Sequence, residues 1–420
     1  MKVLSGLNKL VGFGLSMAML AVAALIAIPA MIRASGEVAW GTIAVGQSVG
    51  ALGAMLVLYG WSVSGPAEVA RGDAQARLTE FLSSLKVRLF LFPMAAVVAV
   101  VISMLLAPVR KDLAGIATVV TLLTGLIHNW FFVGLARPYV LMIVETVPRL
   151  SFTIIGIVAM ETGSDAGVGL IWQGVGLLIG TAMSTWWILW HLGDAMRSRP
   201  KLPPLSKLLV WHGHGVASTI GSGLYGTLPL VVVTLVAPAA QPIYALVDKL
   251  HAQILVGLFP AISVMQGWVP RSQDPAPRAR KVMIFGLGLS ALIGVFAALI
   301  GPWLLHFFGA QKLVPTPEVI LMMAVGLGLH FYVETLGHAI LATYRRLRVL
   351  SWSILIAAVI ALPLVAVGSL RAGALGALVA VNLGYLIRMG IVGIASARCI
   401  RDGGAVDEGP SAVVVTEELG

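Results

Sequence analysis

Residues 10–32 read LVGFGLSMAMLAVAALIAIPAMI, twenty-three positions without a single charge. A helix needs about 20 apolar residues to cross a bilayer core. Lys2 and Lys9 precede this run, as the basic start of a signal peptide would. The run is too long for the 7–15-residue apolar region of a signal, so it reads as a retained first span. Eleven more runs of similar character follow, at 40–59, 89–107, 113–135, 139–160, 168–190, 208–236, 242–265, 282–308, 318–344, 349–370 and 373–399. They exceed strand length and lack strand alternation, so they read as helices.

Composition agrees. Hydrophobic types make up 59% of the 420 residues and charged types 11%, against about 25% charged in soluble domains. Twelve spans would use about 240 residues, which leaves no room for a large soluble domain. A soluble enzyme, a disordered chain and a nucleic-acid binder with a basic surface are excluded on this ground.

The net charge of +10 arises from 28 basic and 18 acidic residues. With the N-terminus cytoplasmic, the inside segments carry 20 basic residues and the outside segments 5, namely Arg33, Arg110, Lys111, Lys312 and Arg371. Arg88 is counted with the inside loop that precedes the third span. That bias is the positive-inside pattern, and it predicts twelve spans with both termini cytoplasmic in an inner membrane. The three remaining basic residues lie inside spans.

Three inside loops are long: 60–88, 190–207 and 266–281. The first carries Ala67, Val69, Leu78, Phe81, Leu82 and Leu85 among charges, the pattern of an amphipathic interfacial helix. The stretch 201–204 (KLPP) reads as a linker at mid-chain. It divides a first lobe, 1–200, from a second, 201–400. The acidic tail 401–420 reads as disordered. Each lobe opens with a long helix, a short turn and a second helix. That second helix ends in a Gly-Trp step before a proline, Gly60-Trp61 with Pro66 and Gly267-Trp268 with Pro270. Six spans per lobe keep the lobes in one orientation, a parallel repeat. The expected fold is an all-α polytopic membrane protein, with two six-helix lobes around a central cavity.

Ionisable residues within spans are costly and face a bundle interior. His128 stands in the fourth span. Glu145 and Arg149 in the fifth are four apart and share a face, with Arg149 near mid-membrane. The eighth carries Asp248, Lys249, His251 and Gln253, and the tenth carries Glu334 and His338, with His330 a turn earlier. Arg388 stands alone in the twelfth, with Asn382 and Tyr385 nearby. Each has a plainer reading. Glu145–Arg149 can be a structural ion pair, Glu334–His338 and His128 local contacts, and Arg388 a snorkelling cation. Taken as cavity residues, Arg149, Lys249 and Arg388 outweigh Asp248, and a basic cavity suits an anionic, diphosphate-bearing cargo. Cys399 is the one cysteine, so no intrachain disulfide can form. The motifs of hydrolases, metalloenzymes and nucleotide binders are missing from the sequence, and neither a metal nor a cofactor is expected.

Three stretches carry a family resemblance. They are YGWSVSGPAEVA at 59–70, GLYG at 223–226 leading to YALVDK at 244–249, and Phe308-Gly309 before the tenth span. With these the chain resembles the polysaccharide-export branch of the multidrug/oligosaccharidyl-lipid/polysaccharide (MOP) flippases, the Wzx-like O-antigen flippases. The resemblance implies movement of a polyprenyl-diphosphate-linked oligosaccharide across the cytoplasmic membrane, without enzymatic chemistry. Its partners would be that lipid-linked sugar, membrane lipids, and a polysaccharide polymerase or glycosyltransferases. On this reading Arg149, Lys249 and Arg388 hold the diphosphate. His128, Gln47, His251 and Gln253 also line the cavity, with Gln47 and Gln253 on sugar hydroxyls. Asp248, Glu334, His338 and Glu145 are candidates for coupling to an ion or to membrane potential. The alternatives are a cation-coupled exporter of small organic molecules and a membrane polymerase or ligase.

Overall fold

The computed structural model describes residues 2–197, 202–272 and 274–402. Lys201 of the expected linker and residues 403–420 of the expected tail lie outside them. Among the described residues the elements are helical. They are α1 (Lys2–Ser35), α2 (Glu37–Leu58), α3 (Trp61–Arg71), α4 (Ala74–Leu106), α5 (Lys111–Leu122) and α6 (Asn129–Gly134). Then come α7 (Pro138–Glu161) and α8 (Ala166–His191). The second half holds α9 (Leu205–Val236), α10 (Gln241–Trp268), α11 (Ala276–Phe308), α12 (Pro317–Leu341) and α13 (Leu347–Arg401).

Ten of the described segments are long and apolar enough to cross a membrane. One of them, Arg348–Arg401, is 54 residues long. It leaves the helical region at Ala372 and at Gly373, where φ is +56°, a conformation that glycine adopts without a Cβ penalty. Gly368 and Gly376 on either side touch backbone to backbone, so α13 is a hairpin of two spans. With α9, a helix of 32 residues, the count reaches the expected twelve. The chain is a multi-pass membrane protein whose described ends lie on one face.

Two boundaries differ from the sequence reading. The third span begins fifteen residues early, at Ala74, where the Asp73 carboxylate caps the helix by accepting from the Ala76 N–H at 2.8 Å. The expected interfacial helix is therefore split. Ala67 and Val69 lie on α3, whereas Leu78, Phe81, Leu82 and Leu85 form the first turns of α4. The fourth span is broken. α5 runs through a tighter turn, Leu123–Leu126, and ends, and α6 starts at Asn129.

Packing repeats between the halves. α1 lies on α7 as α9 lies on α13, and α2 lies on α5 as α10 lies on α12. The contact of α2 with α5 is among the most extensive between two helices. Gly46, Gly50 and Gly53 form one stripe on α2, against Ala114, Thr118 and Leu122 of α5. The Thr118 hydroxyl donates across it to the Gly46 carbonyl at 3.1 Å. Without a hydrophobic drive between helices in lipid, such small-residue stripes are what let backbones close up.

The two faces of the bundle are built differently. On the face opposite the N-terminus one continuous core joins both halves: Ile32, Trp40, Ile43 and Leu170 with Leu230, Tyr244, Leu250 and Phe308. The Gln241 amide donates there to the Gly41 carbonyl and the Thr234 hydroxyl, both at 3.1 Å. On the N-terminal face there are two cores instead of one. One centres on Trp61, Phe81, Trp130 and Phe132 and takes in Leu208 at the start of α9, the other on Met265, Phe331 and Leu336. Among the described residues, hydrogen bonds between the halves on this side run to the start of the second half, from the Tyr59 hydroxyl to the Leu209 carbonyl and from the Lys86 ammonium to the Pro203 carbonyl, both at 3.1 Å. The molecule is closed at the far face and divided at the N-terminal one.

Charge follows the same division. The five basic residues expected outside lie at the far face together with five acidic ones: Glu37, Asp112, Glu161, Asp165 and Glu318. Arg33 pairs with Glu161, and Arg110 bridges Asp112 at 2.8 Å and Asp165 at 3.0 Å. The hydrogen bond from Arg110 holds the Asp165 carboxyl below the usual carboxylate range. That tether persists at neutral pH and is lost only in acid, below the ordinary Asp pKa of about 3.9. Exposed Trp190, Trp211 and Trp352 mark the N-terminal interface, and Trp303 with Phe307 the other, as aromatic belts do.

A Cβ on Gly50 would come within 2.5 Å of the Thr118 carbonyl oxygen, whereas nothing lies within 4 Å of one on Gly257. Gly50→Val is expected to lower the melting temperature of the detergent-purified protein, at a cost of about 1–3 kcal/mol for overpacking. Gly257→Ala is expected to leave it unchanged or slightly higher.

Candidate functional site

Two polar clusters sit within the bundle, one in each half. The first gathers around the broken fourth span. Where α5 stops, the Leu126 and Ile127 carbonyls lose their helical donors and the His128 N–H loses its acceptor. In lipid such groups must find partners inside the protein. Arg88 supplies the donor: one guanidinium nitrogen lies 2.9 Å from the Ile127 carbonyl and 3.5 Å from that of Leu126. Glu145 supplies the acceptor, taking the His128 N–H at 3.3 Å. The His128 ring lies 2.9 Å from the Thr185 hydroxyl and edge-on to Phe81. Glu145 meets Arg149 at 3.6 Å, as the four-residue spacing predicts. Its position on a wide turn of α7, Met142–Thr146, aims the carboxylate at the break.

Arg88 corrects the sequence reading. It is not a loop residue but a fully buried side chain of α4, with its guanidinium 5.5 Å from the Trp130 ring. A signal for it did exist. Leu78, Phe81, Ser84 and Arg88 recur at helical spacing and are all buried, so the inward face of the amphipathic stretch runs straight into the span.

The second cluster lies across α10, α12 and α13. His330, Glu334 and His338 form one stripe on α12 at i, i+4 and i+8. The Glu334 carboxylate meets His330 at 3.6 Å, His338 at 3.2 Å and Arg388 at 2.9 Å. The His251 ring nitrogen lies 3.1 Å from that of His330, and Tyr385 stacks on both rings. Arg388 is therefore not alone: it is buried behind Glu334 across a helix–helix contact. A snorkelling cation is ruled out, and direct contact with a cargo would require Glu334 to release it. Asn382 donates to the Met322 carbonyl at 2.8 Å.

Asp248, Lys249, Gln47 and Gln253 are half-buried and join neither cluster. No arrangement of His, Cys, Asp and Glu among the described residues could hold a metal ion. The sequence reading missed the partner of Arg388 because 54 residues separate it from Glu334.

The charge balance changes with these placements. The cations within the spans are Arg88, Arg149, Lys249 and Arg388, and the anions Glu145, Asp248 and Glu334, of which Arg88, Arg388 and Glu145 are fully buried. The interior is basic by one charge, which Arg88 contributes rather than Arg388.

These features define a class of architecture: a twelve-span helical bundle of two alike halves, closed at one face, with buried ionic clusters in each half. Solved structures share its fold. An inward-facing multidrug resistance MATE family transporter of the MOP superfamily aligns over 93% of this chain and 98% of its own, with a TM-score of 0.66 at 11% identity. A Vibrio cholerae MATE transporter aligns over 94% and 97%, with a TM-score of 0.56 at 14% identity. The lipid II flippase MurJ, in an inward closed conformation, aligns over 91% and 87%, with a TM-score of 0.52 at 13% identity. At these identities the likeness is one of fold. No family model and no curated protein sequence matches the chain.

Removing one partner of a buried ion pair typically costs about 3–5 kcal/mol, and replacing both by apolar groups costs far less. Glu334→Leu is expected to destabilise the purified protein on that scale, and Glu334→Leu with Arg388→Met to recover most of the loss. Thermal melts of the two variants check this.

Proposed function

We propose that the protein is a flippase that moves a polyprenyl-diphosphate-linked oligosaccharide across the cytoplasmic membrane by alternating access, for cell-surface polysaccharide synthesis. The observation that carries this reading is the single excess cation of the interior, with Arg149 keeping a fifth of its side chain accessible. A cation half-shielded in low dielectric favours an anion far more than the same charge in water. Lys249 stands a helix away without a hydrogen-bonded partner among the described residues and would take the second phosphate.

The divided N-terminal face would admit the cargo head from the cytoplasmic leaflet, with both chain ends on that side. The lipid tail has a path at the seam of the halves. An apolar groove of about 490 Å³ lies between α2, α4 and α9, lined by Leu52, Leu56, Leu91, Met94, Val98 and Leu228. Behind it the Met55 thioether packs against Gly223, placing a flexible side chain in the seam. Export would then require the shared core at the far face to part and the N-terminal cores to meet. Polymerase or glycosyltransferase partners would supply and consume the cargo. Glu334 and His338 would serve coupling, and Asp248 and Glu145 remain candidates, Glu145 through its contacts with the break and with Arg149.

A second reading, a cation-coupled exporter of small organic molecules, draws support from the higher TM-score with the multidrug transporter. It calls for an acidic residue at mid-depth in the first, second, fourth or sixth span. Those spans hold Asp or Glu only at their ends, as Glu37 and Asp112.

Arg149→Ala and Lys249→Ala are each expected to cut surface polysaccharide at least tenfold in the native host at equal protein level, with lipid-linked sugar accumulating in the inner leaflet. Unchanged export in both variants would overturn the binding role. A deletion strain sensitised to cationic drugs with normal polysaccharide would favour the exporter.

A further inference from the structure

The cluster around His128 is unevenly satisfied. Arg88 is wholly buried, and only one of its guanidinium nitrogens has a partner: Nε and Nη2 make no hydrogen bond. A buried guanidinium with two idle donors is a costly arrangement. Glu145 on the other side of His128 is equally buried and loosely held. Its contacts, 3.3 Å to the His128 N–H and 3.6 Å to Arg149, are well beyond the 2.7–2.9 Å of a tight charged hydrogen bond. Arg88 lies 3.4 Å from the His128 ring and makes no hydrogen bond to this carboxylate. One carboxylate thus stands near two cations, tight against neither, and the deeper cation has two donors idle.

Resting on the reading that Arg149 takes a cargo phosphate, we propose that Glu145 is an exchangeable counter-ion, which shields Arg149 in the empty protein and passes to the free edge of Arg88 when a diphosphate takes Arg149. The reason is electrostatic. A phosphate at Arg149 places like charge beside Glu145 in low dielectric, where repulsion is strong. The Nε and Nη2 donors of Arg88 form a ready fork for a carboxylate. The transfer withdraws the acceptor from the His128 N–H and so loosens the break between α5 and α6. Cargo occupancy would thereby reach the discontinuity that follows α5, where a helix can bend at little cost. Arg88 and Glu145 act here as positioning residues through Arg149.

The alternative is that both are fixed caps of the break. Binding of farnesyl diphosphate to the full-length protein in detergent, by calorimetry, separates the two. Glu145→Gln keeps the acceptor for the His128 N–H and removes the competing charge, and should tighten binding at least tenfold. Arg88→Gln removes the receiving cation and should weaken it at least tenfold. In the double variant the Arg88 effect should vanish, because a neutral amide in place of the carboxylate need not move. An equal loss from Arg88→Gln in both backgrounds, or no tightening in Glu145→Gln, overturns the exchange. Should Arg88→Gln fail to fold, Arg88→Lys takes its place, and the Glu145→Gln arm stands independently. Failure of the unaltered protein to bind the probe, or full binding by Arg149→Ala, instead overturns the reading of the site and the exchange with it.

Discussion

The constraint on which this structure depends is that hydrocarbon offers no hydrogen bonds, so every backbone polar group in a span must be satisfied from within. An unbroken helix meets it without help. Each departure from a straight helix therefore has to be matched by particular side chains or confined to an interface. The turn at Ala372–Gly373 lies at the far face, with glycines packing backbone on backbone beside it. The break at Ile127–His128 lies inside the bundle and is matched by two charges of opposite sign. Arg88 serves its carbonyls and Glu145 its N–H. The ionic residues of the first half are in this sense the complement of a backbone defect.

The second half solves a different problem. α12 stays helical, with a wide turn at Leu336–Leu341, and its ionic residues serve one another. Glu334 gathers His330, His338 and Arg388 around one carboxylate. A network gathered on one carboxylate holds a packing in place, whereas incompletely matched donors leave room for rearrangement. The two halves share a scaffold and differ in degree: Glu334 ties three partners together in one, and in the other two donors of Arg88 stay idle.

Most of the fold could be read from hydropathy, because the number and order of spans follow from apolar length and from the side on which basic residues fall. The Glu145–Arg149 pair was legible for the same reason that it forms: four residues make one helical turn. Three features were not. Arg88 abuts an apolar run, so a hydropathy window assigns it to the loop, although the inward face of Leu78, Phe81 and Ser84 continues through it. The break at His128 has Gly125 in the turn before it, but a lone glycine is common in these spans and the apolar sequence carries on across it. Arg388 meets Glu334 from another helix, and no local spacing reveals a contact across 54 residues. The Gly-Trp steps that suggested a repeat also diverge, since Trp61 is buried and Trp268 is exposed beneath Arg278. The repeat is kept in how the helices pack, not in what individual residues do.

A bilayer stores a voltage because it is an insulator, and any protein that shuttles polar matter through it threatens that property. The shared core at the far face preserves it. Trp40, Ile43, Tyr244 and Leu250 leave a dry partition between the divided face and the other side, crossed by the Gln241 amide alone among the cross-half hydrogen bonds described there. Water and ions have no wire to follow while this partition stands. On the proposed cycle, opening it would expose the apolar surface that holds it shut, and that penalty would be offset as the cores of the opposite face come together. The same hydrophobic area that joins the halves would thus enforce turn-taking between the two faces, so that the membrane would not be short-circuited at any stage.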